Sequence, residues 1–237
     1  MSVLPAVRAT LAERFLFNFR MSPEALNSYL PAPWLAPHII RGYGVVSFCM
    51  LDLRNITVAP LRTLAGLNSV SCAPRYAVVD NLNGGGKPAV YVTERQTNSA
   101  FGAWFTTLGF SAPHPYVNAV IEHQAGSTLL RIHNTENTLI FNATVHVTPT
   151  LEFELFGSAQ TFAAFIAEGV SSYGLSRHED RFTIMDLHKE DADCKPLAVS
   201  SLCGPLVEEW QSKGAVLDSA FRTSGGRYEW TYHGLTT

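Results

Sequence analysis

Residues 75–95 read RYAVVDNLNGGGKPAVYVTER. Two runs rich in β-favouring residues, RYAVVD and PAVYV, flank the glycine-rich connection NLNGGGK, which predicts an antiparallel hairpin with a long loop. The second run leads straight into Glu94 and Arg95. If its alternation continues to the end of VYVTER, Tyr91, Thr93 and Arg95 point to one side, and Val92 and Glu94 to the other. Where both faces of such a strand are covered, one of the two charges points inward, and a buried charge needs a partner or a ligand. The alternation assigns Arg95, on the face of Tyr91, to a pocket; a structural salt bridge is the competing explanation.

Outward from that hairpin, strand-like patterns recur. In ERFLFNFR (13–20), Phe15, Phe17 and Phe19 share one face of a half-buried strand. MSPEALNSYLPAP offers Ser22 as an N-cap and Pro23 at the first helical position, and the short helix stops before Pro31. YGVVSFCMLDL (43–53) is too apolar for an exposed face and reads as a strand covered on both sides. Phe101, Trp104, Phe105 and Leu108 recur at helical spacing behind a cap at Thr97, Asn98 or Ser99. They predict a helix over 98–108, ended by Gly109 and kept from continuing by Pro113 and Pro115. Residues 116–147 read as a three-stranded meander, YVNAVIEH, TLLRIHN and TLIFNATVHV. A helix in SAQTFAAFIAEGVSSYG, strands near 181–188 and 197–203, a short helix in PLVEEWQSKG and a closing hairpin, VLDSAFRT-SGG-RYEWTYHG, complete the chain.

Antiparallel hairpins dominate these roughly ten strands and four helices, and no β-α-β rhythm appears, which excludes a doubly wound dinucleotide fold. The expected class is α+β, mainly antiparallel β: a closed or partly closed β-barrel with a few peripheral helices, in one domain over 1–237. Closure removes vulnerable strand edges. A composition of 46% hydrophobic residues, with 14 Phe in 237, supplies a large interior or an apolar cavity. A net charge of −3 leaves no basic excess for a phosphate backbone, so no nucleic-acid partner is expected. No run approaches the ~20 apolar residues of a membrane span, and the opening residues lack a signal-type apolar stretch. The expectation is a cytoplasmic chain without a membrane partner, its four widely spaced cysteines free.

Standard catalytic motifs are absent, and GGGK lacks the spacing of a phosphate-binding loop. None of the eight histidines forms an i, i+2 or i, i+4 pair, so neither a metal nor a cofactor is expected. One face of the meander gathers Asn118, Glu122, Arg131, His133, Asn142, Thr144 and His146. That face is either bathed in water or lines a polar cavity, with Glu122 and Arg131 as an acid/base and anion pair. Residues 53–79 hold Arg54, Arg62 and Arg75 but no acidic residue. Such arginines suit a carboxylate ligand, which the guanidinium fork binds in bidentate fashion, unless distant acidic residues pair with them.

The order of segments, from the aromatic strand through SPEALNSYLPAPW, YGVVSFCMLDL and RYAVVD…GKPAVYVTER to LGFSAPHPYVNAVI, resembles the acetoacetate decarboxylase-like superfamily, especially its large and mostly uncharacterised bacterial branch. The likeness covers about residues 12–150. It implies an antiparallel barrel around a small-molecule pocket, helices outside, and self-assembly into a homo-oligomer. True acetoacetate decarboxylases form a Schiff base through the first of two adjacent lysines in a glycine-phenylalanine-proline-lysine-lysine motif. The matching stretch here is Gly109-Phe110-Ser111-Ala112-Pro113-His114, with neither lysine. The carboxylate that such enzymes place on an earlier strand also has no counterpart between Leu53 and Val79. The resemblance therefore carries over the fold and the pocket, not the activity.

Taken together, the residues point to a small-molecule enzyme of lyase or isomerase/cyclase type. It acts on a carbonyl or keto-acid substrate by acid/base chemistry without a Schiff base: decarboxylation, cyclisation, dehydration or isomerisation. Arg95, with Arg75 or Arg131, holds a carboxylate or stabilises an enolate. Glu94, Glu122 or His114 acts as general acid/base, and Tyr91 and Trp104 contact the substrate. A non-catalytic carrier of an apolar metabolite is the alternative.

Overall fold

The computed structural model describes residues 6–58, 66–82, 85–100, 102–103, 114–149, 153–168, 170–176, 181–190 and 193–236. Most of the helix expected over 98–108, with Trp104, lies outside them, as does Arg62. Among the described residues fifteen strands form one sheet, more than the ten expected from sequence, because short pairings such as β2 (Leu35–Pro37) and β3 (Ile39–Ile40) are too brief to show a period-two pattern.

The architecture grows from two long strands, β1 (Ala6–Met21) and β4 (Tyr43–Val58), paired along nearly their whole length. Phe15, Phe17 and Phe19 do share one face of β1, but Leu16 on the other face is also buried, so the strand is covered on both sides rather than half-buried. The same holds for β4 through residues 44–53, as its composition predicts. Beyond β4 come β5 (Leu67–Asp80) and β6 (Lys87–Val92), the expected hairpin, with Asp80 opposite Lys87.

Next to β6 lies β11 (Ser171–Leu175), in the parallel direction, and then β12 (Phe182–Lys189) and β15 (Arg227–Thr236). β15 pairs with the start of β1, so the sheet closes on itself in a ring. Residues 171–175 thus extend as a strand after the helix α2 (Ala159–Glu168), instead of continuing it.

The second half of β1 pairs instead with β14 (Val216–Ser224), which begins a wing continuing through β13 (Asp193–Cys203), β10 (Leu139–Val147), β9 (Ser127–His133) and β8 (Asn118–Gln124). The last three are the predicted meander. The closing hairpin is not one. β14 and β15 both run antiparallel to β1 along the same edge, Glu13 opposite Ser224 and Thr10 opposite Arg227. Gly225 and Gly226, at φ 77 and 106, make the corner between them. Side-chain-bearing residues resist that backbone region, whereas glycine enters it freely.

The wing folds back over the ring wall. Phe141 of β10 stacks on Phe48 of β4 at 4.1 Å between centroids and meets Phe17 edge-on at 5.3 Å. The helix α3 (Pro205–Ser212) adds Trp210, fully buried, whose Nε1 donates to the Tyr76 hydroxyl at 3.2 Å. A separate cluster, in which Phe162 of α2 stacks on Phe221 of β14 at 3.7 Å, packs against the opposite face of β1 and β4. The short helix α1 (Pro23–Asn27) is capped as expected, with Ser22 Oγ accepting from the Ala25 amide.

Phe17 is fully buried at the seam between ring and wing. Phe17→Ala is therefore expected to cost about 3–5 kcal/mol in urea denaturation, against a change within about 0.5 kcal/mol for Val120→Ala on the exposed edge strand. Equal midpoints for the two variants would contradict the seam.

Candidate functional site

Side chains on the inner face of the ring enclose a cavity of about 210 Å³. Every strand of the ring contributes: Val7 from β1, Leu51 and Leu53 from β4, Ser69 to Arg75 from β5, Val90 and Val92 from β6. Ser172 of β11, Met185 and Leu187 of β12 and Trp230 of β15 complete the wall. The lining is mainly aliphatic, with a few polar groups placed on it, as small-molecule sites generally are.

Arg95 reaches this cavity through a break in the strand. Arg75 of β5 stands opposite Val92, and Cys72 stands opposite Gln96 of the short strand β7 (Gln96–Thr97). Three steps on β5 therefore face four on its partner, and one extra residue is inserted between Val92 and Gln96. A bulge of this kind reverses the facing of the residues beyond it. Tyr91, opposite Tyr76, points into the outer aromatic core and contributes nothing to the cavity. Arg95 falls on the face of Val92, lining the cavity, and Glu94 is left exposed, its carboxylate accepting from Gln96 Nε2 at 3.1 Å. The expectation that Arg95 shares the face of Tyr91 is thus corrected, while its inward direction stands.

Arg95 Nη2 donates to Ser172 Oγ at 3.1 Å, and that hydroxyl donates to the Met185 carbonyl at 3.2 Å. Gly174, two residues on, leaves room for the guanidinium: a Cβ there would lie 2.9 Å from Arg95 Nη1. Arg75 enters the same cavity from β5, its Nε buried without a hydrogen-bond partner. Burial, then the nearby charge of Arg75, lowers the Arg95 pKa to about 10, so Arg95 stays cationic near neutrality. Among the described residues, no aspartate or glutamate lines the cavity.

His114 is positioned from the far side by chain pairing: the Thr97 amide donates to the Pro115 carbonyl, and the Val117 amide to the Thr97 carbonyl. Its imidazole lines the cavity. Burial, with the Arg95 charge second, pushes its pKa down to about 3, so the ring is neutral at ordinary pH. Beside it lies a chain of hydroxyls, Ser69 Oγ being 2.6 Å from Thr97 Oγ1 and 3.2 Å from Ser71 Oγ. Cys72 also touches the cavity, but burial raises its thiol pKa far above neutrality and keeps it protonated.

The other sequence candidates lie elsewhere. Glu122 and Arg131 are exposed on the outer face of β8 and β9, so that face of the meander is the water-bathed one. Arg54 pairs with Asp52 at 2.7 Å, a carboxylate just outside the acid-free stretch. Ser69 and Ser71 were detectable as an i, i+2 pair on one strand face, whereas Ser172 carries no local signal. Among the described residues no group of three or more His, Cys, Asp or Glu is gathered for a metal, and no helix is long and apolar enough to cross a membrane.

The His114 shift has a defined sign. Between about pH 3 and its ordinary 6.5, the unfolded chain binds a proton at this site that the folded chain refuses. Stability is therefore lost as pH falls through that window. His114→Gln should flatten the acid limb of a urea-midpoint profile between about pH 6.5 and 4, and Arg95→Met should raise the His114 pKa read from imidazole resonances. An unchanged acid limb in His114→Gln would refute the buried neutral imidazole.

No protein-family model matches the chain, and no curated protein matches it in sequence. Solved structures do. An acetoacetate decarboxylase from Legionella pneumophila subsp. pneumophila str. Philadelphia 1 superposes at a TM-score of 0.72 with 11% identity, over 98% of this chain and 87% of that one. The enduracididine biosynthesis enzyme MppR complexed with pyruvate gives 0.66 at 12% identity, over 100% and 91%. An acetoacetate decarboxylase-like enzyme from Sphingomonas wittichii RW1 gives 0.64 at 11%, over 100% and 93%. The ring and its wing are the acetoacetate decarboxylase-like fold, a mainly antiparallel, partly closed barrel.

Proposed function

We propose that the chain is an enzyme that binds a small keto acid with an apolar body in the lumen of the ring and transforms it by proton transfer, without an imine. The observation that carries this is the pair Arg75 and Arg95 in a mainly aliphatic cavity with no carboxylate among its described lining residues. Two like charges in a low-dielectric enclosure repel each other, and a bound carboxylate or enolate offsets that repulsion. The aliphatic wall and Trp230 suit a branched or aromatic substrate body. The pyruvate complex of MppR, a neighbour in fold, supports the keto-acid class.

His114 is the group for the proton step. It is the imidazole lining the cavity, and an anion entering beside Arg95 offsets part of the field that depresses it. A neutral imidazole takes a proton from carbon next to a ketone while a guanidinium pairs with the resulting enolate oxygen. Return of that proton at another carbon gives isomerisation. For a β-keto acid, His114 takes the carboxyl proton, loss of carbon dioxide leaves an enolate, and the imidazolium returns that proton to carbon.

The test is binding and turnover of 2-oxo acids such as 4-methyl-2-oxopentanoate and phenylpyruvate, followed by calorimetry and product analysis. Arg95→Met is expected to weaken binding by about tenfold or more, while Glu122→Gln and Arg131→Gln stay within about twofold. His114→Gln should abolish conversion and spare binding. Binding without conversion by the unaltered protein would favour the carrier. Borohydride reduction that traps substrate on any lysine would overturn the imine-free chemistry.

A further inference from the structure

The strand that carries Arg75 brings a second polar station to the cavity. Ser69, Ser71, Ala73 and Arg75 alternate along one face of β5, and all four line the chamber. Ser71 stands roughly 13 Å along the strand from Arg75. Thr97 of β7 lies opposite Ser71 and lines the same wall. Ser69 and Thr97 are buried, whereas Ser71 keeps part of its surface open.

Fixed neighbours set the direction of each hydrogen bond in this cluster. Asn98 Oδ1 accepts from the Val70 amide at 2.7 Å, while Asn98 Nδ2 donates to the Ala119 carbonyl at 3.2 Å, so the amide cannot turn over. Ser69 Oγ lies 3.5 Å from that amide oxygen, 2.6 Å from Thr97 Oγ1 and 3.2 Å from Ser71 Oγ. Thr97 Oγ1 also accepts from the Ser99 amide at 3.1 Å. Three hydroxyl protons satisfy these three contacts in one way only. The amide oxygen can only accept, so Ser69 donates to it, and Thr97 and Ser71 then both donate to Ser69. Ser71 offers the chamber its lone pairs and not its proton.

We propose that Ser71 Oγ is a hydrogen-bond acceptor for a hydroxyl group of the substrate. The inference rests on the reading of the cavity as a keto-acid chamber and narrows its substrate class to keto acids with a hydroxyl remote from the carboxylate. Leu51 stands beside Ser71 on β4, and Leu53 follows on the same wall. In such surroundings a ligand without a donor leaves the serine oxygen dry and unpaired, which is how a polar group placed in an apolar wall discriminates. An ammonium also donates, but the Arg95 charge in the same enclosure opposes it. A neutral hydroxyl meets both conditions.

The experiment measures two pairs of acids by calorimetry on the full chain. In the first, 7-hydroxy-2-oxoheptanoate is set against 2-oxooctanoate, in which a methyl group replaces the hydroxyl. In the second, 7-methoxy-2-oxoheptanoate is set against 2-oxononanoate, in which a methylene replaces an ether oxygen that accepts and cannot donate. Ser71→Ala is expected to weaken the hydroxy acid relative to its partner by about fivefold and to leave the ether pair within about twofold. Ser69→Ala removes the acceptor of the Ser71 proton, which then turns to the chamber, so the ether should gain about fivefold on its partner. Each variant decides the question if the other fails to fold. A hydroxyl pair unmoved by Ser71→Ala, an ether pair that weakens with it, or an ether pair unmoved by Ser69→Ala overturns the assignment. Failure of the keto-acid reading has a different signature: none of the four acids binds and Arg95→Met changes nothing. The isomers hexan-1-ol and dipropyl ether then carry the comparison. A preference for the alcohol that Ser71→Ala removes supports the acceptor, and equal binding of the two overturns it.

Discussion

Enclosure of like charges by a closed wall is the constraint around which this molecule is organised. A guanidinium in an apolar cavity is costly unless hydrogen bonds and counter-charge accompany it, and here the described residues lining the cavity provide only the first. Ser172 and the Met185 carbonyl behind it hold Arg95 from two adjacent strands of the ring, while Arg75 stands on a third. Because each wall strand is hydrogen-bonded on both sides, the guanidiniums cannot separate by relaxing outward without breaking the ladder. On the proposed reading, the result is a site organised for an anion before the anion arrives, the arrangement that converts binding into stabilisation of developing negative charge.

The rigidity comes from β1, which pairs with β4 along one edge and with β14 and β15 in succession along the other. Ring and wing thus share a strand, and the corner at Gly225 and Gly226 lets one continuous edge serve both. The aromatic seam of Phe17, Phe48 and Phe141 ties the wing to the outside of the wall, and the Phe162–Phe221 stack covers the opposite face. Burial of those rings is where the free energy that sustains the enclosed charges is found.

Much of this frame was legible in the sequence because period-two patterning and turn residues are local signals. The hairpin across NLNGGGK, the meander, the two-sided burial of β4 and the helices begun by Pro23 and Pro205 all arise from them. What escaped depends on pairing between distant segments. Strict alternation grouped Arg95 with Tyr91, and only the register against β5, with its extra residue, separates them. SGG looked like a hairpin turn because β14 and β15 each satisfy strand patterning, and nothing local reveals that both seek the same edge of β1. Ser172 was hidden in what read as the tail of a helix. Glu122 and Arg131 show the converse, a polar face that solvent explains completely.

An electrostatic consequence links the two arginines to the histidine. In the empty cavity, burial and the field of Arg95 keep the His114 imidazole neutral and a poor base, with a pKa of about 3. On the proposed reading, a carboxylate entering beside Arg95 cancels part of that field, and the basicity of His114 rises only when substrate is present. A base of fixed, near-neutral pKa would be protonated in part of the population and would add a further cation to an already repulsive chamber. Coupling basicity to occupancy avoids that cost. On that reading a cavity with no carboxylate among its described lining residues draws its general base from the substrate's own negative charge, which relieves the Arg95 contribution while the larger one, burial, stays in place.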